Sequence, residues 1–491
     1  MNHTKSQNPW IAGLSSFVLH LGVLLLLAFW TIAELKLGSQ LTIDSGVTSD
    51  ETSVVFTVET DAQPSDENSE SMAAQSVISS STLVSDEPPS LEVTPGDAPT
   101  ASQTILDAVT QSSSESKSVG SAFVGSSVEG RTTKNRLAIG ERNGASAASE
   151  AAVEAALAYL ARHQNNNGSW TLLFEDGPCK GECDHGGIGK DPHETAATGL
   201  ALLCFLGAGH TMHSGEYSEQ VAKGIYFLIQ SLRQSQSGRS SWLTPFSRFE
   251  MYEHGIASLA LCEALQMTGD VELLAKPCQE VINYIIVAQT KGGGWDYHST
   301  NKAEGDLSIV GWQVMALKSA FAAKLNVNAE TIRNLDQFLK EHSSGDFKFV
   351  YHKGSKPTAN MTAIGSLMRI IRGRSLTDPS NLKAADYLTK EGLSPTDIYF
   401  DYYATQVLFQ TGGKQWKDWN VKMRDYLVAT QENDGHSAGS WWFNPKGKDL
   451  AVQLSNNTGG RIYTTALACL TLEVYYRYLP VYNPTDDQFK F

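Results

Sequence analysis

The run Cys179-Lys-Gly-Glu-Cys183-Asp-His185 places two thiols and an imidazole within seven residues. Thiolate sulfur and imidazole nitrogen are donors that zinc prefers, and two cysteines at this spacing can also close a local disulfide in an oxidising compartment. A second such pair would mark a metal site strongly, and the sequence has none. Zinc held by Cys179, Cys183 and His185 and a Cys179–Cys183 disulfide therefore both stay open, and no cofactor is established. Carboxylates form a second group. Glu194, Glu253, Asp306 and Asp401 each lie near the start of an apolar helical stretch. Two carboxylates about 5–10 Å apart can hydrolyse a glycoside, whereas a lone acid at a helix start simply answers the helix dipole. Asp191-Pro192-His193-Glu194 fits a capping pattern, with Asp191 as N-cap, Pro192 in the first helical position and Glu194 in the third. Interleaved with the acids are Tyr252, Trp312, Tyr399, Tyr402, Tyr403 and Tyr463, whose ring faces could stack on a sugar or an apolar chain.

The elements that must position these groups are helices in pairs. Amphipathic helices are expected at 149–164, 217–233, 274–290, 329–342, 379–391 and 415–432. Each is followed by a more uniformly apolar one, at 192–208, 253–268, 306–325, 358–373, 395–411 and 461–478. A helix apolar nearly all round must be buried, and an amphipathic one can cover it. Strict alternation predicts two concentric rings. An open solenoid would need polar terminal repeats, but the first and last pairs are as apolar as the middle ones. The expected fold is all-α, an α6/α6 toroid over 149–482. Loops with a leading Gln, glycines and a closing Trp end several outer helices: Gln164–Trp170, Gln289–Trp295, Gln431–Trp441 and, more weakly, Gln234–Trp242. In these the Gln can bond loop backbone and the Trp can cover the adjoining pair.

Before the toroid, Trp10–Ala33 has no charged residue and is long enough to cross a bilayer. The expectation is a cytoplasmic 1–9, a transmembrane anchor over 10–33 and everything after it outside the cytoplasm. That makes a single-pass inner-membrane protein with a periplasmic domain. Ser16 and His20 share one helical face, and with Pro9 and Trp10 they resemble the anchor of TonB-type energy-coupling proteins, which implies contact with a proton-driven motor complex. From Gly38 to Gly130 there are fifteen acidic residues against Lys117 alone, which accounts for nearly all of the formal net charge of −15. Together with sparse apolar residues, this predicts a disordered linker over 38–145. The rest is nearly neutral, which excludes nucleic acid as a main partner. Residues 483–491 form a tail.

The Gln-x-Gly-x-Trp loops and alternating helices resemble the terpene cyclase and protein prenyltransferase superfamily. In particular they resemble membrane-anchored single toroids with squalene-cyclase-type repeats, common in planctomycete bacteria. GWQVMALKSA (311–320), YYATQVLF (402–409) and TLEVYYRYLP (471–480) carry that likeness. The resemblance implies a central cavity for an isoprenoid or other apolar ligand. It also locates two losses. The acid of a cyclase Asp-x-Asp-Asp motif falls on His193, and an imidazolium is about 2.6 pKa units weaker than an aspartic acid. The zinc ligands of a prenyltransferase fall on Asp306, Ser308 and Ala404, and one ligand in three does not hold zinc. The expected function is apolar-ligand binding with both reactions degenerate. A carbohydrate-active enzyme working through rim carboxylates and a non-catalytic interaction module are the alternatives.

Overall fold

The computed structural model describes residues 131, 133–174, 177–184, 186, 187, 192–234, 250–299, 304–444 and 450–477. The expected span 10–33 with Ser16 and His20, most of the linker, His185, Asp191 and the tail 483–491 lie outside these residues. Among the described residues no helix is long and apolar enough to cross a membrane.

The structure is all-α and toroidal. The outer helices are α2 (Ala147–Arg162), α4 (Ser218–Gln234), α6 (Val271–Ala288), α8 (Ala329–Glu341), α10 (Pro379–Glu391) and α12 (Gly413–Thr430). The inner ones are α3 (Glu194–Gly207), α5 (Glu250–Thr268), α7 (Leu307–Ala322), α9 (Ala359–Ile371), α11 (Ile398–Thr411) and α13 (Leu450–Leu472). Burial separates the two classes. The inner α7 is buried at every position from Leu307 to Ala320, whereas the outer α8 buries only Thr331, Ile332, Leu335, Phe338 and Leu339, one stripe at helical spacing. Each inner helix packs on the next, α3 on α5 and so round to α13, and α13 returns to α3. The ring is closed. The last inner helix breaks at Gly460, whose φ of 58° interrupts α13, so its ring portion begins at Arg461 as the periodicity implies. It continues as a short α14 (Val474–Arg477). A two-residue hairpin, β1 (Ser343–Ser344) with β2 (Lys348–Phe349), joins α8 to α9.

The Gln loops repeat one set of hydrogen bonds three times. Gln164 Nε2 donates to Gly168 O and to Gln220 O of α4. Gln289 Nε2 donates to Gly293 O and to Thr331 O of α8. Gln431 Nε2 donates to Gly439 O at 2.9 Å and to Ala152 O at 2.8 Å. Each side chain thus ties its own loop to the first turns of a neighbouring outer helix, and the last of them ties α12 back to α2. The tryptophans Trp170, Trp295 and Trp441 donate from Nε1 to Leu160, Ile285 and Leu427 on the helix just completed. The loop glycines are required. Gly168, Gly293 and Gly439 have φ near 90° (91°, 85° and 90°), and an added Cβ would stand 2.1–2.3 Å from a neighbouring helix carbonyl.

An eleven-residue helix, α1 (Thr133–Asn143), occupies the end of the segment expected as linker. Charge anchors it, not apolar spacing, so the hydrophobic pattern gives no sign of it. Arg131, just before α1, bonds Glu263 Oε1 at 2.7 Å and Leu206 O at 3.1 Å. Arg136 on α1 reaches Ala208 O at 2.9 Å and the carboxylates of Glu150 and Glu154. Arg477 bonds Glu263 Oε2 at 2.6 Å and Leu203 O at 3.2 Å. Guanidinium groups therefore satisfy the last carbonyls of α3, where the helix dipole favours cations. Burial would raise the Glu263 carboxyl, but Arg477 and Arg131 overcome it and hold it below the usual range. Burial pushes Glu473 up to about 8 and Glu150 up to about 7, against the pull of Arg477 and Arg136 respectively.

Glu263→Ala leaves two buried guanidinium groups without their shared carboxylate, and urea denaturation should show a loss of about 3–5 kcal/mol. Glu473 gives a signed pH dependence. Its folded pKa lies above the ordinary 4.5, so its stabilising contribution is complete below about pH 4.5 and is lost as pH climbs through about 8. Across that window Glu473→Gln should show a smaller fall in its urea midpoint than the unaltered chain. Glu150 leaves part of the slope in place.

Candidate functional site

The inner helices begin around one mouth, and Ser308 is its hub. Asp306 caps α7, with Oδ1 accepting from Ser308 N at 2.8 Å and from Ser308 Oγ at 2.7 Å. Ser308 Oγ in turn accepts the Tyr252 hydroxyl at 2.7 Å, and Ser308 O accepts the Tyr399 hydroxyl at 3.0 Å. Three inner helices, α5, α7 and α11, thus meet at one serine. Below them Tyr403 packs on Tyr399 and Tyr402 with ring centroids 5.0 and 5.1 Å away. Trp312 stacks on Tyr402 at 6.0 Å. Trp312, Tyr402 and Tyr403 are at most 1% exposed, so the ring is filled at their level. Tyr252, Tyr399 and Tyr463 keep a solvent-accessible face. Burial nonetheless raises the Tyr252 and Tyr399 hydroxyls well above 10. These rings are crowded by protein yet still reached by solvent.

Two further tyrosines belong to this wall. Tyr297 packs edge-on against Tyr252 at 5.8 Å, and its hydroxyl meets that of Tyr351 at 2.6 Å. Tyr297 sits two residues beyond the Gln289–Trp295 loop and Tyr351 just after the hairpin. Neither has a period or motif that could have singled it out.

The acids stand where expected along the chain, and each has structural work. Glu194 accepts the Ser169 hydroxyl at 2.8 Å. Glu253 Oε1 lies 2.9 Å from His193 Nδ1, joining α5 to the start of α3. Asp401 Oδ1 accepts Ser394 N at 2.9 Å, and burial raises its carboxyl well above the ordinary range. Burial also raises Asp306, against the bonds from Ser308. The structure brings Asp306, Tyr252, Tyr399, Tyr402, Tyr403 and Trp312 together, and Tyr463 is near enough to act on Tyr399 and Tyr403 electrostatically. Asp401 stays apart from them with Ser394.

The capping pattern at 191–194 is not formed. Helix α3 opens at Glu194, and His193 is its N-cap residue, at φ 47° with no side-chain cap bond. Pro192 lies before the helix because its carbonyl accepts Leu172 N at 2.9 Å, which commits it to the loop. Pro395 likewise precedes its helix, and Asp397 is the cap of α11.

A second constellation lies on the seam of the ring. Cys179 and Cys183 are free thiols, so the disulfide is not formed. They are joined by His163, at the end of α2, and by His436, in the loop between α12 and α13. The four ligand atoms all lie within 4.8 Å of one another. Cys183 Sγ is 3.5 Å from His163 Nε2 and 3.2 Å from His436 Nδ1, and Cys179 Sγ is 3.6 Å from His436 Nδ1. Burial pushes the Cys183 thiol up to about 12 and the His163 imidazole down to about 4. Of the expected Cys179, Cys183 and His185, both cysteines belong to the set, and His185 lies outside the described residues. His436 is some 250 residues from the cysteines, and a local spacing argument has no access to it.

No protein-family model matches the chain, and no curated protein matches it. Among solved structures it is similar to a type II terpene cyclase from Scytonema, at 12% identity and TM-score 0.42, over 67% of this chain and 98% of that one. It is likewise similar to an alpha-amylase from Clostridium perfringens, at 12% identity and TM-score 0.44, over 66% and 97%. Both are too remote for their activities to bear on this chain, and the toroid rests on its own helix packing.

Ser308→Ala removes the acceptor of the Tyr252 hydroxyl and a donor to Asp306. Loss of these buried bonds should lower stability by about 1–3 kcal/mol in urea denaturation.

Proposed function

We propose that the toroid binds an apolar ligand of the isoprenoid class in the tyrosine-lined mouth. The observation that carries this is the direction of the hydroxyls. Tyr252 and Tyr399 both turn their oxygens onto Ser308, so what they offer a ligand is ring carbon. A sugar-binding wall needs free donors and acceptors beside its rings, because an unpaired buried hydroxyl on the ligand is costly. The rim carboxylates are partly committed to structural bonds, with Asp306 Oδ2 and Asp401 Oδ2 left without one. Glu194, Glu253, Asp306 and Asp401 are each engaged by a neighbouring residue.

The chemistry of the resembled superfamily is not supported by the residues in its places. His193 stands at the proton-donor position and pairs with Glu253. Ser308 and Ala404 stand at two of the three zinc-ligand positions. Binding is therefore proposed without a turnover step. The proposal includes a membrane anchor over 10–33 with the toroid on the extracytoplasmic side, where a lipid ligand is at hand. Ser16 and His20 would then face any proton-driven motor complex in the bilayer.

The purified full-length chain, incubated with total membrane lipid extract and re-isolated, should carry a polyprenyl-sized adduct in native mass spectrometry. Tyr399→Ala and Tyr463→Ala should lose most of it. An unaltered chain that returns empty, or that retains an oligosaccharide instead, would sink the proposal.

A further inference from the structure

We infer that His163, Cys179, Cys183 and His436 form a closed tetrahedral zinc site that clasps the first helix pair of the toroid to the last. The inference is independent of the ligand proposed for the mouth. With zinc–sulfur bonds of about 2.3 Å and zinc–nitrogen bonds of about 2.0–2.1 Å, the edges of a tetrahedral site are about 3.3–3.8 Å. The sulfur–nitrogen separations here are 3.2, 3.5 and 3.6 Å, already close to those edges. Two sulfurs and two imidazoles in tetrahedral array suit zinc among common metals. With all four positions taken by protein there is no vacancy for water or substrate, and the role is structural.

The surroundings are built for such a site. His163 Nδ1 lies 2.7 Å from Tyr159 O. A carbonyl only accepts, so Nδ1 carries the proton and Nε2 presents its lone pair to the cluster, the arrangement that orients a metal-bound histidine. Cys183 N donates to Cys179 Sγ at 3.2 Å, which favours sulfur as thiolate. Arg461 bonds both loops that bring the ligands. Its Nε donates to Asp184 O at 3.2 Å, beside Cys183, and its Nη1 to Ser440 Oγ at 3.1 Å, near His436. Arg162, next to His163, donates to Ala438 O at 2.7 Å. His436 is half-buried and the other three are buried, so a metal ion can enter from the loop side.

Location gives the consequence. His163 ends the first outer helix, the cysteines precede the first inner helix, and His436 follows the last outer helix. A metal bound here crosses the one junction of the ring that no short chain connection spans. Tying residues so far apart in sequence removes conformational freedom from the unfolded chain, as a long-range cross-link does.

The test uses the full-length chain. Native mass spectrometry and elemental analysis should find about one zinc per chain. Replacement by cobalt(II) should give the visible d–d bands of a tetrahedral centre together with sulfur-to-cobalt charge transfer. Cys179→Ser combined with Cys183→Ser should abolish both signals. His436→Ala, at a half-buried loop position and therefore folding-safe, should weaken the metal about tenfold or more. Stripping the metal should raise hydrogen exchange in 163–183 and 431–441, and not across α8–α10 on the opposite side of the ring. A protein that neither carries zinc nor develops the cobalt bands would overturn the inference, as would one in which Cys179 and Cys183 are recovered as a disulfide.

Discussion

A helix whose whole circumference is apolar has no face to give to water, and that constraint organises this molecule. Each inner helix needs an inner neighbour on both sides and cover behind. Six in a row would leave two bare flanks, and packing α13 on α3 removes both at once. The junction then needs the same polar fastenings as every other step round the ring. Gln431 supplies them on α2 just as Gln164 does on α4 and Gln289 on α8. Gly439 lets the closing loop approach the Ala155 carbonyl where a side chain would collide.

The two ends of the ring handle burial in opposite ways. At the mouth, hydroxyls, a capping aspartate and a serine bond one another. Burial keeps the tyrosine hydroxyls protonated, which suits a surface that presents carbon. At the other end the last helical carbonyls have no following turn to bond them. Arg131, Arg136 and Arg477 answer with guanidinium groups, and Glu263 balances two of them. Breaking a buried charge network is costly, and here helix ends and carboxylates share the terminal nitrogens of these arginines.

The sequence made the ring legible because burial of a helix is a local property written every third or fourth residue. The break at Gly460 even left the true start of the last inner helix in view. Helix α1 escaped because its hold is ionic, and an Arg that meets a Glu 132 residues away leaves no periodic mark. The same reason hid His163 and His436, whose value lies in partners fixed by closure. The acids and tyrosines were found at the right helix starts. What Ser308 does to them was not visible, since one hydroxyl becomes a hub only when three helices converge on it. The Asp191-Pro192 signal misled by two residues, because Leu172 N bound the proline carbonyl and kept it in the loop.

The guanidinium of Arg131 reaches α3 through Leu206, α5 through Glu263 and α14 through the Arg477 carbonyl. A force applied at Arg131 is therefore not taken by α1 alone. It is divided at once among three helices of the ring, which must slide past one another together before any can be peeled away. Mechanically, Arg131 is a rivet through three helices at once.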